Sequence, residues 1–232
     1  MTAKLNSFDN GAALAEGLAA RVADALSAGI QARGRASLAV SGGSTPKAFF
    51  KALSSAEIDW PKVTVTLVDE RFVPPENDRS NHKLVAENLL QNAAKAAAFV
   101  PLYHAGETAE HAAQDATEAT ADICQPFDVA ILGMGTDGHT ASFFPGGSRL
   151  VEALDPATAR SVITMEAEGA GEPRLTFTFS ALADARLLVL HIEGNGKKDV
   201  LAKAEAEGPE ADMPIRAMLR RAASPVEIYW AP

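Results

Sequence analysis

Apolar residues recur along this chain in two rhythms. Between residues 10 and 29, Leu14, Leu18, Val22 and Leu26 fall at helical spacing and predict an amphipathic helix, with Gly29 and Gly34 as stop signals. Short unbroken apolar runs predict buried strands at Ser37-Leu38-Ala39-Val40, residues 63 to 68, Phe99-Val100-Pro101-Leu102 and Phe127-Asp128-Val129-Ala130-Ile131. The same pattern predicts strands at Leu187-Leu188-Val189-Leu190-His191-Ile192 and Val226-Glu227-Ile228-Tyr229-Trp230. Ser161 to Met165 and Leu175 to Phe179 read as two more, joined over residues 166 to 173 by a Gly- and Glu-rich loop expected to be mobile. Helical segments fall between the strands. One follows Pro46 from Lys47 to Leu53, and one runs from a Ser80-Asn81 cap through Leu84, Val85, Leu89 and Leu90. Others run from about Thr108 to Cys124, from a start at Asp199-Val200-Leu201, and from Met213 to Arg221. Strands alternating with helices, without an internal repeat, predict one α/β sandwich on a mostly parallel sheet, a single domain over residues 1–232.

Composition changes this picture in two places. The single cysteine, Cys124, excludes an internal disulfide and fits a reducing compartment. The formal charge of −9 weighs against nucleic acid or an anionic membrane as partner. A site for an anion must then bring its own cations or helix N-termini. The opening residues lack the apolar core of a signal peptide, and no apolar run is long enough to span a bilayer. A cytoplasmic protein is the expectation.

The candidate chemistry gathers where strands end. The run at residues 127 to 131 leads into Leu132-Gly133-Met134-Gly135-Thr136-Asp137-Gly138-His139-Thr140. Its glycines, Gly135 and Gly138 among them, let the backbone turn sharply and approach a ligand, and an acid and an imidazole emerge two residues apart. In open parallel sheets that end of a strand is where ligands bind, so this stretch reads as a catalytic loop. After the first strand, Ser41-Gly42-Gly43-Ser44-Thr45-Pro46 precedes a helix. It reads either as an anion cradle of backbone N–H groups at a helix start or as a plain capped turn. Asp69-Glu70-Arg71 falls where the next strand becomes loop, and Arg71 there is a fork for phosphate or carboxylate or part of a self-satisfied acid–base cluster. Lys197 in Gly194-Asn195-Gly196-Lys197 is a further cation at the same rim, unless it is merely solvated. His191, inside a strand, is expected to be a satisfied core histidine. His82 is assigned a surface or capping role, and His104 and His111 are assigned to solvent.

These four strand ends, in this order, resemble the 6-phosphogluconolactonases of the pentose phosphate pathway, which belong with the glucosamine-6-phosphate deaminases and isomerases. Ser80-Asn81 and Phe144-Pro145-Gly146 add to the match, which covers essentially the whole chain. The resemblance implies a Rossmann-like three-layer sandwich and hydrolysis of 6-phospho-D-glucono-1,5-lactone to 6-phosphogluconate. It implies that His139 is the general base and that Gly42, Gly43, Ser44 and Thr45, with Arg71 and Lys197, grip the phosphate. Arg174 falls where the family often has an arginine opening an Arg-x-Thr strand.

A lactone is an ester, so its hydrolysis needs a base for water and donors for the oxyanion. Imidazole can take the proton near neutral pH. Asp137 either fixes the His139 tautomer or holds the water, and the oxyanion donors are glycine-loop N–H groups or Arg71. No step demands a metal or redox cofactor, and a monomer or homodimer is expected. Four other readings are open to discrimination. Gly133-x-Gly135-x-x-Gly138 matches a dinucleotide fingerprint, but the long helix that this requires is not predicted after it. An aminosugar-phosphate deaminase/isomerase would share Asp137-Gly138-His139 and use Asp69 as proton carrier. Its loop, however, continues to Asn-Glu-Pro, where this chain has Phe143-Phe144-Pro145. A non-catalytic sugar-phosphate sensor would not need Asp137 and His139. A zinc site lacks a second histidine at ligand spacing.

Overall fold

The computed structural model describes residues 3–106, 108–123 and 125–232, so Cys124 lies outside the described residues. Seven strands form the main sheet: β1 (Lys4–Ser7), β2 (Ala36–Val40), β3 (Val63–Leu67), β5 (Ala98–Val100), β6 (Val129–Leu132), β9 (Leu187–Glu193) and β10 (Val226–Ala231). Their spatial order is β1-β10-β9-β6-β2-β3-β5, and every neighbouring pair is parallel. Strands β2 and β6 are buried along their whole length, as expected where helices cover both faces of a parallel sheet. The long helices are α1 (Gly11–Arg33), α2 (Lys47–Ser54), α3 (Asn81–Asn88), α4 (Ala109–Thr120), α7 (Asn195–Glu205) and α8 (Ile215–Arg221). Short helices α5 (Leu150–Leu154) and α6 (Phe179–Leu182) complete the set. Among the described residues, no helix is long and apolar enough to cross a membrane.

Helix α1 shows what the periodicity captures and what it misses. Asn10 caps it by accepting the Ala13 N–H at 2.9 Å, and Leu14, Leu18, Val22 and Leu26 are its fully buried stripe. Gly34, at φ 75°, ends it by donating its N–H to the Ile30 carbonyl. Gly29 does not stop the helix. A Cβ there would stand 2.9 Å from both the Arg33 guanidinium and an Asp128 oxygen, so the glycine provides clearance for an ion pair.

That ion pair ties the sheet edge opposite the strand-end motifs. The Asp128 side chain is 2 % exposed, accepts the Ser37 N–H at 2.9 Å, and pairs with Arg33 and, at 3.6 Å, with Arg186. Asp128→Ala should lower stability by about 2–3 kcal/mol, because it leaves a buried N–H and two cations without their acceptor. Urea unfolding should show that loss, with kcat unchanged.

A second sheet departs from the expectation. Asp69–Arg71 forms a strand, β4, rather than the start of a loop, and pairs antiparallel with β8 (Arg174–Phe177), which pairs with β7 (Val162–Met165). Val68 joins the two sheets. Its N–H donates to Val40 O in the main sheet at 2.9 Å, and its carbonyl accepts from Phe177 N–H in the small one at 3.1 Å. Strand β1 also lay outside the expectation. It is mostly exposed and carries no apolar rhythm, so its placement comes from pairing with β10 at the sheet edge.

Candidate active site

The chain runs from β2 outward to β3 and β5, then returns to β6 on the other side of β2. The loops after β2 and β6 diverge at that switch point, where an open α/β sheet leaves a crevice. A cavity of about 360 Å³ occupies it. Its wall takes in Gly42, Gly43, Ser44 and Thr45 from the first loop and Gly135 and His139 from the second. Asp69 and Arg71 of β4, Arg174 of β8, and Lys197 of α7 complete the set of expected residues that line it. Asp137 and Gly138 do not line the cavity. Asp137 stands behind the imidazole, and Gly138, at φ 80°, faces Met213 and offers its carbonyl to Ile215 N–H at 2.9 Å.

The imidazole is held at one nitrogen. His139 Nδ1 lies 2.6 Å from Asp137 Oδ1, which also accepts the His139 backbone N–H at 3.1 Å. Burial pushes the Asp137 carboxyl up. The His139 backbone N–H and the imidazole outweigh it and hold the group below its ordinary value. A lowered acid contributes stability that is present above its unfolded-state pKa and lost as pH falls through its folded one. The shift favours the ionised Asp137 carboxylate. An ionised carboxylate at Nδ1 fixes the proton there and leaves Nε2 with its lone pair. The ring packs on Phe144 with centroids 4.5 Å apart, and its side chain remains 32 % exposed. No helix follows Gly138. Thr140 bridges to Phe143 instead, so the dinucleotide fingerprint lacks the element that would hold a pyrophosphate.

Two of the cations, Arg71 and Arg174, come from the small sheet. Register places Arg71 directly opposite Arg174, a like-charge pairing that Glu172 relieves in part, its carboxylate lying 3.7 Å from the Arg174 guanidinium. Neither guanidinium has an acceptor for its buried Nε–H. Arg174 donates to Ala170 O at 2.6 Å and lies 5.4 Å above the Phe144 ring. Burial lowers its pKa, with the Asp69 carboxylate opposing. Lys197 Nζ donates to the Met134 carbonyl at 2.6 Å. Burial lowers the ammonium pKa, and Asp137 pulls it the other way. Asp69 accepts from Ser142 Oγ at 2.6 Å.

Glu70 is part of the scaffold. It is fully buried and accepts N–H bonds from Arg71, Asn81 and His82 and the Ser80 hydroxyl, all within 3.0 Å. Burial raises its pKa and those donors oppose the rise. It thereby ties the start of α3 to β4. This sets Asn81, whose amide donates to Asp69 O at 2.8 Å and closes against Gly42. A Cβ on Gly42 would meet Asn81 Oδ1 at 1.8 Å, so only glycine permits that approach.

Sequence reasoning missed several wall residues. Asn81, expected at a helix cap and in the family match, is one of them. Ala141, Phe144 and Gly169 also line the cavity, and so do His191 and Glu193 at the end of β9. His191 is not the satisfied core residue expected: it is 3 % exposed, but its Nδ1 has no partner. The available signal was its position near a strand's carboxyl end, three residues before Gly194.

Residues 9–230 match the family model described as glucosamine-6-phosphate isomerases/6-phosphogluconolactonase. The chain belongs to this family. A 6-phosphogluconolactonase of Rhizobium meliloti (strain 1021) is 72 % identical over 232 residues, covering 100 % of each chain. A 6-phosphogluconolactonase of Mesorhizobium japonicum is 55 % identical over 227 residues, covering 98 % of this chain and 94 % of the relative. The crystal structure of a 6-phosphogluconolactonase from Shewanella baltica OS155 superposes with a TM-score of 0.96 at 41 % identity, covering 99 % of this chain and 98 % of that one. The Rossmann-like sandwich described above agrees with that membership.

Proposed function

We propose that the chain is a 6-phosphogluconolactonase, hydrolysing 6-phospho-D-glucono-1,5-lactone to 6-phospho-D-gluconate in the oxidative branch of the pentose phosphate pathway. One observation carries this reading: an imidazole fixed at Nδ1 by Asp137 shares a cavity with two guanidiniums whose Nε–H groups lack acceptors. The relatives named above carry the same activity in their names.

In this reading His139 Nε2 takes a proton from water as the water oxygen bonds to the lactone C1. The carbonyl becomes an oxyanion. The Gly135 N–H is committed to the His139 carbonyl at 2.9 Å, so the donors are the remaining N–H groups of the glycine loop or Arg71. Collapse of the tetrahedral intermediate breaks the C1–O5 bond, and the imidazolium returns its proton to the departing ring oxygen. The phosphate, gripped by the Gly42 to Thr45 loop with Arg71, Arg174 and Lys197, supplies binding energy remote from C1 and orients it. Asp69, held by Ser142, is a neighbour of this grip. Phe144 packs on His139, where the isomerase chemistry would need a proton carrier.

The functional unit is read as residues 1–232, a cytoplasmic monomer or homodimer acting on a small phosphosugar without nucleic acid or membrane. The test is a coupled assay on freshly generated lactone, with glucosamine 6-phosphate as control. Lactone loss well above the spontaneous rate, without ammonia release, is the expected result. Ammonia release from the control, or binding of 6-phosphogluconate without lactone turnover, would overturn it.

A further inference from the structure

We propose that Glu193, positioned by His191, accepts a hydroxyl of the sugar ring and selects among phosphosugar lactones; this deepens, and rests on, the lactonase reading. The carboxylate lies at the carboxyl end of β9 in the cavity wall, with its side chain 31 % exposed. One oxygen lies 3.0 Å from His191 Nε2. The imidazole is itself clamped. It is buried, sits edge-on to Phe49 at a centroid distance of 6.1 Å, and has no partner at Nδ1. In that contact Nε2 carries the proton and donates it, since a carboxylate oxygen only accepts.

The backbone around Glu193 is equally fixed. Glu193 is in register with Ala231, and the Gly194 N–H donates to the Ala231 carbonyl at 2.8 Å. The Gly194 carbonyl accepts the Trp230 indole N–H at 3.1 Å. Gly11 leaves the carboxylate room, since a Cβ there would stand 2.8 Å from Glu193 Oε2. Lys197 turns to Met134 and does not neutralise the acid. An ionised carboxylate repels the phosphate and accepts only from donors. The donors on a phosphogluconolactone are its ring hydroxyls. A carboxylate held rigidly at the wall of such a site therefore discriminates by hydroxyl position.

Steady-state kinetics would test this on 6-phosphogluconolactone, its 2-deoxy analogue, and the lactones made by oxidising mannose 6-phosphate and galactose 6-phosphate. Glu193→Gln replaces an acceptor by a donor at nearly constant shape. It should raise KM for the parent lactone about tenfold or more with kcat within about twofold, and it should erase the preference over at least one altered lactone. Gly11→Ala, which displaces the carboxylate without altering its charge and suits a first helical turn, should act in the same direction. His191→Phe should also do so, and H191F/E193Q should be no worse than E193Q alone. An unchanged order of preference in E193Q, or additive losses in the double variant, overturns the inference. A wild-type protein without lactone turnover overturns the lactonase reading instead.

Discussion

Replacement of His139 by alanine should lower kcat for lactone hydrolysis by about 10²–10⁴-fold, the range over which a positioned acid–base group acts. KM should change little, because the proposed anion grip lies on β4, β8, α7 and the loop after β2. The fold should survive. The ring is 32 % exposed, its stacking contact is with Phe144, and its hydrogen bond goes to a half-exposed carboxylate. Three measurements check this together: turnover corrected for spontaneous hydrolysis, calorimetric affinity for 6-phosphogluconate, and a thermal melt. Wild-type turnover in the variant would remove His139 from the chemistry. Lost affinity with intact kcat would make it a binding residue instead.

A single methyl group at Gly135 should have nearly as large an effect. A Cβ there would stand 2.1 Å from His139 Nδ1, 2.3 Å from Cε1 and 2.4 Å from Asp137 Oδ1. It would enter the hydrogen bond that fixes the tautomer. Gly135 itself is held at both ends, its N–H donating to the His139 carbonyl and its carbonyl accepting the Gly138 N–H, so the imidazole and the carboxylate must move instead. Gly135→Ala should therefore reduce kcat by roughly 10²-fold or more while the protein remains folded. In proton NMR, the wild-type protein should show a downfield imidazole N–H that the variant lacks. A variant with normal kcat and a retained downfield proton would show that the pair is not needed in this geometry.

The helices and central strands were legible because burial writes itself into periodicity. Leu14, Leu18, Val22 and Leu26 read as one face, and β6 and β9 as continuous apolar runs, since each packs against something on the side its pattern predicts. The site was legible for a different reason. In a parallel sheet the loops at the carboxyl ends converge, so glycines, acids and cations just after apolar runs fall on one rim. What escaped was decided by partners distant in sequence. Lys4–Ser7 carries no burial signal, and Asp69–Arg71 looks like a polar loop until Arg174–Phe177 arrives to pair with it. Gly29 mimicked a helix stop because its true neighbour, Asp128, is about a hundred residues away. His191 sits among apolar neighbours in the chain, and the pattern did not show that its Nδ1 would be left without a partner.

Val68 has a consequence for how the molecule meets its ligand. One residue is hydrogen-bonded to both sheets, so the platform carrying the guanidiniums is tied to the strand ends beneath the imidazole. Reach and angle between the proposed gripping and reacting ends are set when the polypeptide folds. Capture should accordingly follow lock-and-key kinetics, with little ordering entropy spent on each encounter.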